Sequence, residues 1–236
     1  MKCKLWLVGA LAPAFTLGVA DAAEPVSSVF YGVQAEQAEV RFTDGTEVLA
    51  WDFDATIGTD ELKFVWRSEA EYDLREDEFE TLENQFRLSV PISPFFDAIA
   101  GVRVETPEGN DRVDGVIGVH GLAQQWVEVD ADLFISDDPS IRLEAEYEGL
   151  ITQRITFTPS IEVEIPLTDD PNRDFGDFAP IIEVGARLSY DLIDRAVAPY
   201  VGVHYELATG ESGRLAQAGG GKKDELFFVA GARLMF

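Results

Sequence analysis

Ile141-Arg142-Leu143-Glu144-Ala145-Glu146-Tyr147-Glu148 alternates strictly, apolar at odd positions and charged at even ones. After a short connection at Thr152 and Gln153 the alternation resumes. Ile155, Phe157, Ile161, Val163 and Ile165 are apolar, and Thr156, Thr158, Ser160, Glu162 and Glu164 are polar. Successive side chains of a strand point to opposite faces, so each segment has one apolar and one charged face. Segments of about ten residues with this pattern, joined by tight turns, build a transmembrane antiparallel β-barrel. A soluble sandwich gives the same alternation, so the chain ends and the loop lengths must decide.

At the start, Lys2 and Lys4 precede an apolar run from Leu5 to Ala20, broken only by Thr16, and Ala20-Asp21-Ala22 follows. A basic start, an apolar middle and an A-x-A end read as a cleavable signal peptide over residues 1–22. A short segment, 23–28, then leads into a barrel over 29–236. The apolar run is too short for a spanning helix, and no later segment reaches 18 apolar residues. Cys3 departs with the leader, so the exported chain is expected to carry no disulfide.

From Val29 onward the alternation marks about twelve strands, an even number as an up-and-down barrel of this class requires. Two of them set Val127, Val129, Ala131 and Leu133 against Glu128, Asp130, Asp132 and Phe134, and Ala98, Ala100 and Val102 against Asp97 and Arg103. If the chain begins in the periplasm, even-to-odd connections should be short turns, and those at Gly58-Thr59-Asp60, Ser93-Pro94, Ala123-Gln124 and Thr152-Gln153 are. Late odd-to-even connections are longer, Thr168 to Ala179 and Ala208 to Asp224, and Gly219-Gly220-Gly221 in the second reads as a flexible loop tip. Trp51, Trp66, Phe95, Phe96, Tyr147, Tyr190 and Tyr200 are expected near strand ends, as aromatic girdles. The chain closes on Phe236, with Phe228, Ala230, Ala232 and Leu234 on one face. An amphipathic last strand ending on an aromatic resembles the signal read by the outer-membrane barrel assembly machinery. The barrel outranks the sandwich, and outer-membrane lipids become its expected surroundings.

The charge bears on what the lumen does. Eighteen Lys and Arg stand against 44 Asp and Glu, a net charge of −26. That excludes a nucleic-acid surface and suggests a field that attracts cations. Solubility would explain acids in loops, but many here lie inside alternating strands. Glu144, Glu146, Glu162, Glu164, Asp130 and Asp132 all fall on the inward, lumen face. Arginines on the same face would pair with part of this set as a structural lattice; the excess acids carry the functional content. No G-x-S-x-G, P-loop, H-E-x-x-H or C-x-x-C motif occurs, and no enzymatic activity is read.

Several blocks resemble the copper resistance protein B family. They include Trp66-Arg67-Ser68-Glu69-Ala70-Glu71-Tyr72-Asp73, Val127-Glu128-Val129-Asp130-Ala131-Asp132-Leu133-Phe134, Leu150-Ile151-Thr152-Gln153-Arg154 and Ala198-Pro199-Tyr200-Val201-Gly202-Val203. The resemblance covers essentially the whole mature chain. It implies an outer-membrane barrel that binds copper ions or mediates their passage, with periplasmic copper resistance proteins as partners. Family members often carry a segment rich in Met and His before the barrel; here Glu24 to Ser28 stands in that place.

The residue chemistry narrows the expectation. Thiolate and thioether ligands select Cu(I), whereas imidazole and carboxylate suit Cu(II). The mature sequence offers no cysteine, one methionine, two histidines and many acids. A weakly bound Cu(II) ion is therefore expected, with His204 the best ligand, Glu206 its nearest inward partner, and His120 a second candidate. Two rivals stand beside this reading. One is a general pore or structural barrel with no metal role. The other is a lipid hydrolase, which would need a histidine at the lipid interface, whereas both histidines fall on the inward face.

Overall fold

In the computed structural model the described residues are 28–43, 45–106, 112–170, 173–193 and 196–236. The expected leader and nearly all of segment 23–28 lie outside them, as does Asp44 of the first turn. Twelve antiparallel strands follow one another. They are β1 (Phe30–Thr43), β2 (Thr46–Gly58), β3 (Lys63–Asp73), β4 (Glu78–Pro91), β5 (Phe96–Thr106) and β6 (Arg112–Leu122). The second half holds β7 (Val127–Ile135), β8 (Ser140–Tyr147), β9 (Ile155–Pro166), β10 (Ile181–Tyr190), β11 (Val197–Ala208) and β12 (Asp224–Met235). A two-residue stretch, Gly149–Leu150, prolongs the edge of β8 along β9.

Each strand pairs with its sequence neighbours, and β12 pairs with β1, so the sheet closes without an edge. The final residue seals the seam: Val33 N–H donates to the Phe236 carbonyl at 2.9 Å, and Phe236 N–H to Val33 at 2.8 Å. Closure matters because every backbone group at membrane depth must find a partner within the protein. The described residues contain no helix long and apolar enough to cross a membrane.

Burial is inverted relative to a water-soluble domain. Arg103, Gln85, Glu83, Asp114 and Asp132 are among the most enclosed side chains, while Phe64, Leu88, Ile117, Phe157 and Val201 are exposed on the outer wall. A polar interior inside an apolar jacket is what a barrel in lipid requires. Trp51 and Trp66 depart from the girdle expectation. They lie within β2 and β3 and pack edge-on against Phe79 and Phe53, at 5.9 and 5.4 Å between ring centroids.

Two local irregularities position interior groups. β1 shifts register against both neighbours between Ala35 and Glu39, so this strand gains a bulge. Beyond it Glu39 and Arg41 point inward and are buried. The connection between β11 and β12 is not a flexible tip but contains helix α1 (Gly210–Gly219). The glycine run ends that helix: Gly220 adopts φ 96°, a left-handed cap, and Gly221 N–H reaches the Ala216 carbonyl at 2.8 Å. Buried Ser212 ties α1 to the other long loop, accepting from Gly176 N–H at 2.9 Å and donating to the Ala179 carbonyl at 2.7 Å.

Candidate functional site

The interior combines a densely paired region, the packed side, with an open cavity, the open side; Arg142, Glu69, Glu83 and Glu164 lie at the border and line both. On the packed side, Arg103 is fully buried and donates to Asp114 Oδ2 from Nε (2.8 Å) and Nη2 (2.5 Å). Its guanidinium carbon lies 3.5 Å from the centre of the Phe134 ring, so the one aromatic on the inward face of β7 serves as a platform for a cation. Arg142 joins from β8, reaching Glu83 at 3.1 Å, Glu164 at 3.3 Å and Glu69 at 3.2 Å. Asp132, expected to present charge to the lumen, is instead 2.6 Å from Arg87 and almost fully enclosed. A buried ion pair needs this density of partners to offset desolvation.

On the open side a cavity of ≈ 580 Å³ remains. Its described lining holds eighteen carboxylates against seven Arg and Lys, so the excess acid seen in the sequence gathers here. Glu144, Glu146, Glu162, Glu164 and Asp130 all line it. The arginines reach only part of the set: Arg67 lies 3.6 Å from Glu144 and 3.9 Å from Asp130, and Arg142 lies 3.1 Å from Glu162.

His204 sits at the wall of this cavity, 4 % exposed, against Phe227. Its Nε2 is 3.1 Å from Glu206 Oε1, the partner expected two residues along β11. It is also 3.3 Å from Glu183 Oε2 on β10, which the sequence reading missed. Glu183 and Glu206 face each other across the β10–β11 ladder. One ligand atom from each of the three residues lies within 4.8 Å of the others. Donors about 2.0–2.2 Å from a common ion sit at such separations, and one imidazole with two carboxylates suits Cu(II) better than Cu(I). The other ring nitrogen, Nδ1, has no hydrogen-bond partner among the described residues. Gly185, the register partner of His204, leaves room for Ser160 and Arg187, since a Cβ there would meet Ser160 Oγ at 2.4 Å and Arg187 Nη1 at 2.6 Å.

Arg41 is the second residue that sequence reasoning passed over. From beyond the β1 bulge its guanidinium pairs with Glu39 at 3.0 Å, with Glu71, and with Glu206 Oε1 at 3.4 Å. A tethered cation thus shares the same carboxylate oxygen as His204. His120 lies elsewhere: its Nδ1 is 3.0 Å from Asp130 Oδ2, its register partner on β7, and its Nε2 is 3.7 Å from Glu128. The structure does not place it with the His204 group.

Three comparisons bear on this geometry. The family model described as "Copper resistance protein B precursor (CopB)" matches residues 29–236. Copper resistance protein B of Escherichia coli is 32 % identical over 212 residues, covering 89 % of this chain and 71 % of that one. A copper resistance protein B homolog of Pseudomonas syringae pv. tomato is 30 % identical over 204 residues, 86 % of this chain and 68 % of that one. Among solved structures, the NanC porin superposes with a TM-score of 0.55 over 87 % of this chain and 99 % of its own, at 10 % identity. That likeness concerns the barrel fold alone.

Proposed function

The chain belongs to the copper resistance protein B family, and from that premise we propose that it is an outer-membrane barrel whose lumen takes up Cu(II) and passes it across the membrane. The observation that carries this reading is the Glu183–His204–Glu206 group, set in the wall of an anionic cavity. Copper here is cargo. His204 Nε2 supplies the one borderline nitrogen donor, Glu183 and Glu206 supply charge, and the surrounding carboxylates concentrate cations around them. Binding is weak by construction, since Arg41 already holds Glu206 Oε1 and repels a second cation. Weak binding suits passage, because a site that conducts must also release. Partners on this reading are the copper ion, the surrounding lipid, the barrel assembly machinery through β12, and periplasmic copper resistance proteins.

The test is a Cu(II) titration of the refolded barrel followed by electron paramagnetic resonance. Nitrogen-coupled signals should appear in the parent, vanish in His204→Ala and persist in His120→Ala. Signals that survive the double variant would reject both histidines. Tight Cu(I) binding would reject the donor argument, and a parent that binds no copper would leave the pore or structural barrel as the better reading.

A further inference from the structure

The register of the sheet reveals an order among the lumen acids. Starting at the end that carries the long loops, Glu225 of β12 pairs with Glu206 of β11, Glu206 with Glu183 of β10, and Glu183 with Glu162 of β9. The row continues from Glu162 to Glu144 of β8, to Asp130 of β7, to His120 of β6 and to Asp97 of β5. Eight consecutive strands each contribute one member, seven carboxylates and one imidazole, with no other residue type between them. Directly opposed residues have Cβ atoms about 4.5–5.5 Å apart, within reach of one shared cation.

The row does not run level around the barrel. Glu225 is the second residue of β12 at the long-loop end, and Asp97 is the second residue of β5 at the short-turn end. The members between them step steadily from one end to the other. Seven steps of about 4.8 Å along the hydrogen-bonding direction, on strands tilted by about 40°, rise about 20 Å. That is most of the roughly 25 Å apolar band of such a barrel. Both ends hold a cationic side chain of the protein: Lys222 bonds Glu225 and Lys63 bonds Asp97. Between them Arg41, Arg142 and Arg67 touch Glu206, Glu162 and Glu144 at 3.4, 3.1 and 3.6 Å. An independent feature points to a ligand. Buried His204, whose Nδ1 is without a partner among the described residues, aims Nε2 at two members of the row, Glu183 and Glu206.

We propose that this acidic row is the transfer path for a divalent cation, which moves from one opposed carboxylate pair to the next and dwells longest at Glu183–His204–Glu206. The inference rests on the reading that the lumen passes Cu(II). Lys222 and Lys63 act as exchangeable end groups, displaced when the ion enters or leaves. The arginines keep the intermediate stations shallow, so no single pair traps the cargo.

The experiment is Cu(II) entry into phosphatidylcholine vesicles containing the reconstituted full chain and an entrapped dye quenched by Cu(II). Glu144→Gln with Glu162→Gln removes two central steps. Glu36→Gln with Glu80→Gln removes the same number of carboxyl groups from the same cavity but off the row. Heat-modifiable gel migration reports folding of each variant, and Glu144→Asp with Glu162→Asp restores the carboxylates if the amide pair fails to fold. The row pair should slow entry about tenfold or more and the off-row pair less than about twofold, with the aspartate pair close to the parent. Equal slowing by both amide pairs would replace the path by a diffuse field and overturn the proposal, as would an unaffected row pair. A parent that admits no Cu(II) would instead overturn passage itself.

Discussion

The packed side around Arg103 and the open side around His204 use the same residue types in different proportion. At Arg103 the cation has Asp114 at 2.5 Å and Glu83 at 3.3 Å, and Phe134 seals its face. At His204 two carboxylates converge on one ring nitrogen, and the nearest guanidinium, Arg41, is divided among Glu39, Glu71 and Glu206. Dense pairing makes a wall, because most groups there are held by several partners that would otherwise be stranded. Sparser pairing leaves room and excess negative charge. On the proposed function, the barrel separates holding itself together from handling a cation.

The contrast predicts where stability resides. Arg103→Ala should destabilise by about 3–5 kcal/mol, since buried Asp114 would lose both short hydrogen bonds and keep only Arg112 at 3.6 Å. Urea unfolding in liposomes measures it, and a loss no larger than that of Glu206→Gln on the open side would dissolve the distinction. The next effect is on the outer wall. Ile161 lies centrally in β9 and is exposed on the apolar jacket, so Ile161→Arg should cost about 2–4 kcal/mol near the midplane. Its inward neighbour Glu162 pairs with Arg142 in a half-open setting, and Glu162→Gln should cost less than about 1 kcal/mol. The reverse ranking would invert the assignment of lumen and lipid faces.

Much of this was legible before any coordinates. Period-two alternation specifies strands and faces, so β7, β8 and β9 and the inward direction of Asp130, Glu144, Glu162 and both histidines could be read directly. His204 and Glu206 share a strand, so their proximity follows from spacing. Glu183 was hidden because it comes from β10, and the register between β10 and β11 depends on the intervening connection. Arg41 was hidden by the bulge in β1, since an extra residue flips the inward set. Helix α1 has Gly210, Gly213 and Gly219 in ten residues, a composition poor in helix propensity. It forms because Ser212 anchors it to the neighbouring loop. Asp132 shows the limit of reading faces alone: an inward acid can be consumed by a buried partner, here Arg87.

The smallest effect sharpens the comparison most, because it separates metal chemistry from charge. A carboxylate row attracts cations at any pH at which it is ionised, but an imidazole ligand must give up its proton to bind. Cu(II) affinity of the parent should therefore weaken toward acid pH by at most about tenfold per unit, as one proton competes with one ion. His204→Ala should bind more weakly at neutral pH yet show a shallower pH slope, since only carboxylates remain. His120→Ala should keep the parent slope, because His120 pairs with Asp130 away from the Glu183–His204–Glu206 group. Calorimetric titrations at several pH values distinguish these cases. A steep slope that survives in His204→Ala and disappears in His120→Ala would move the proposed metal site from the Glu183–His204–Glu206 group to the short-turn end of the row.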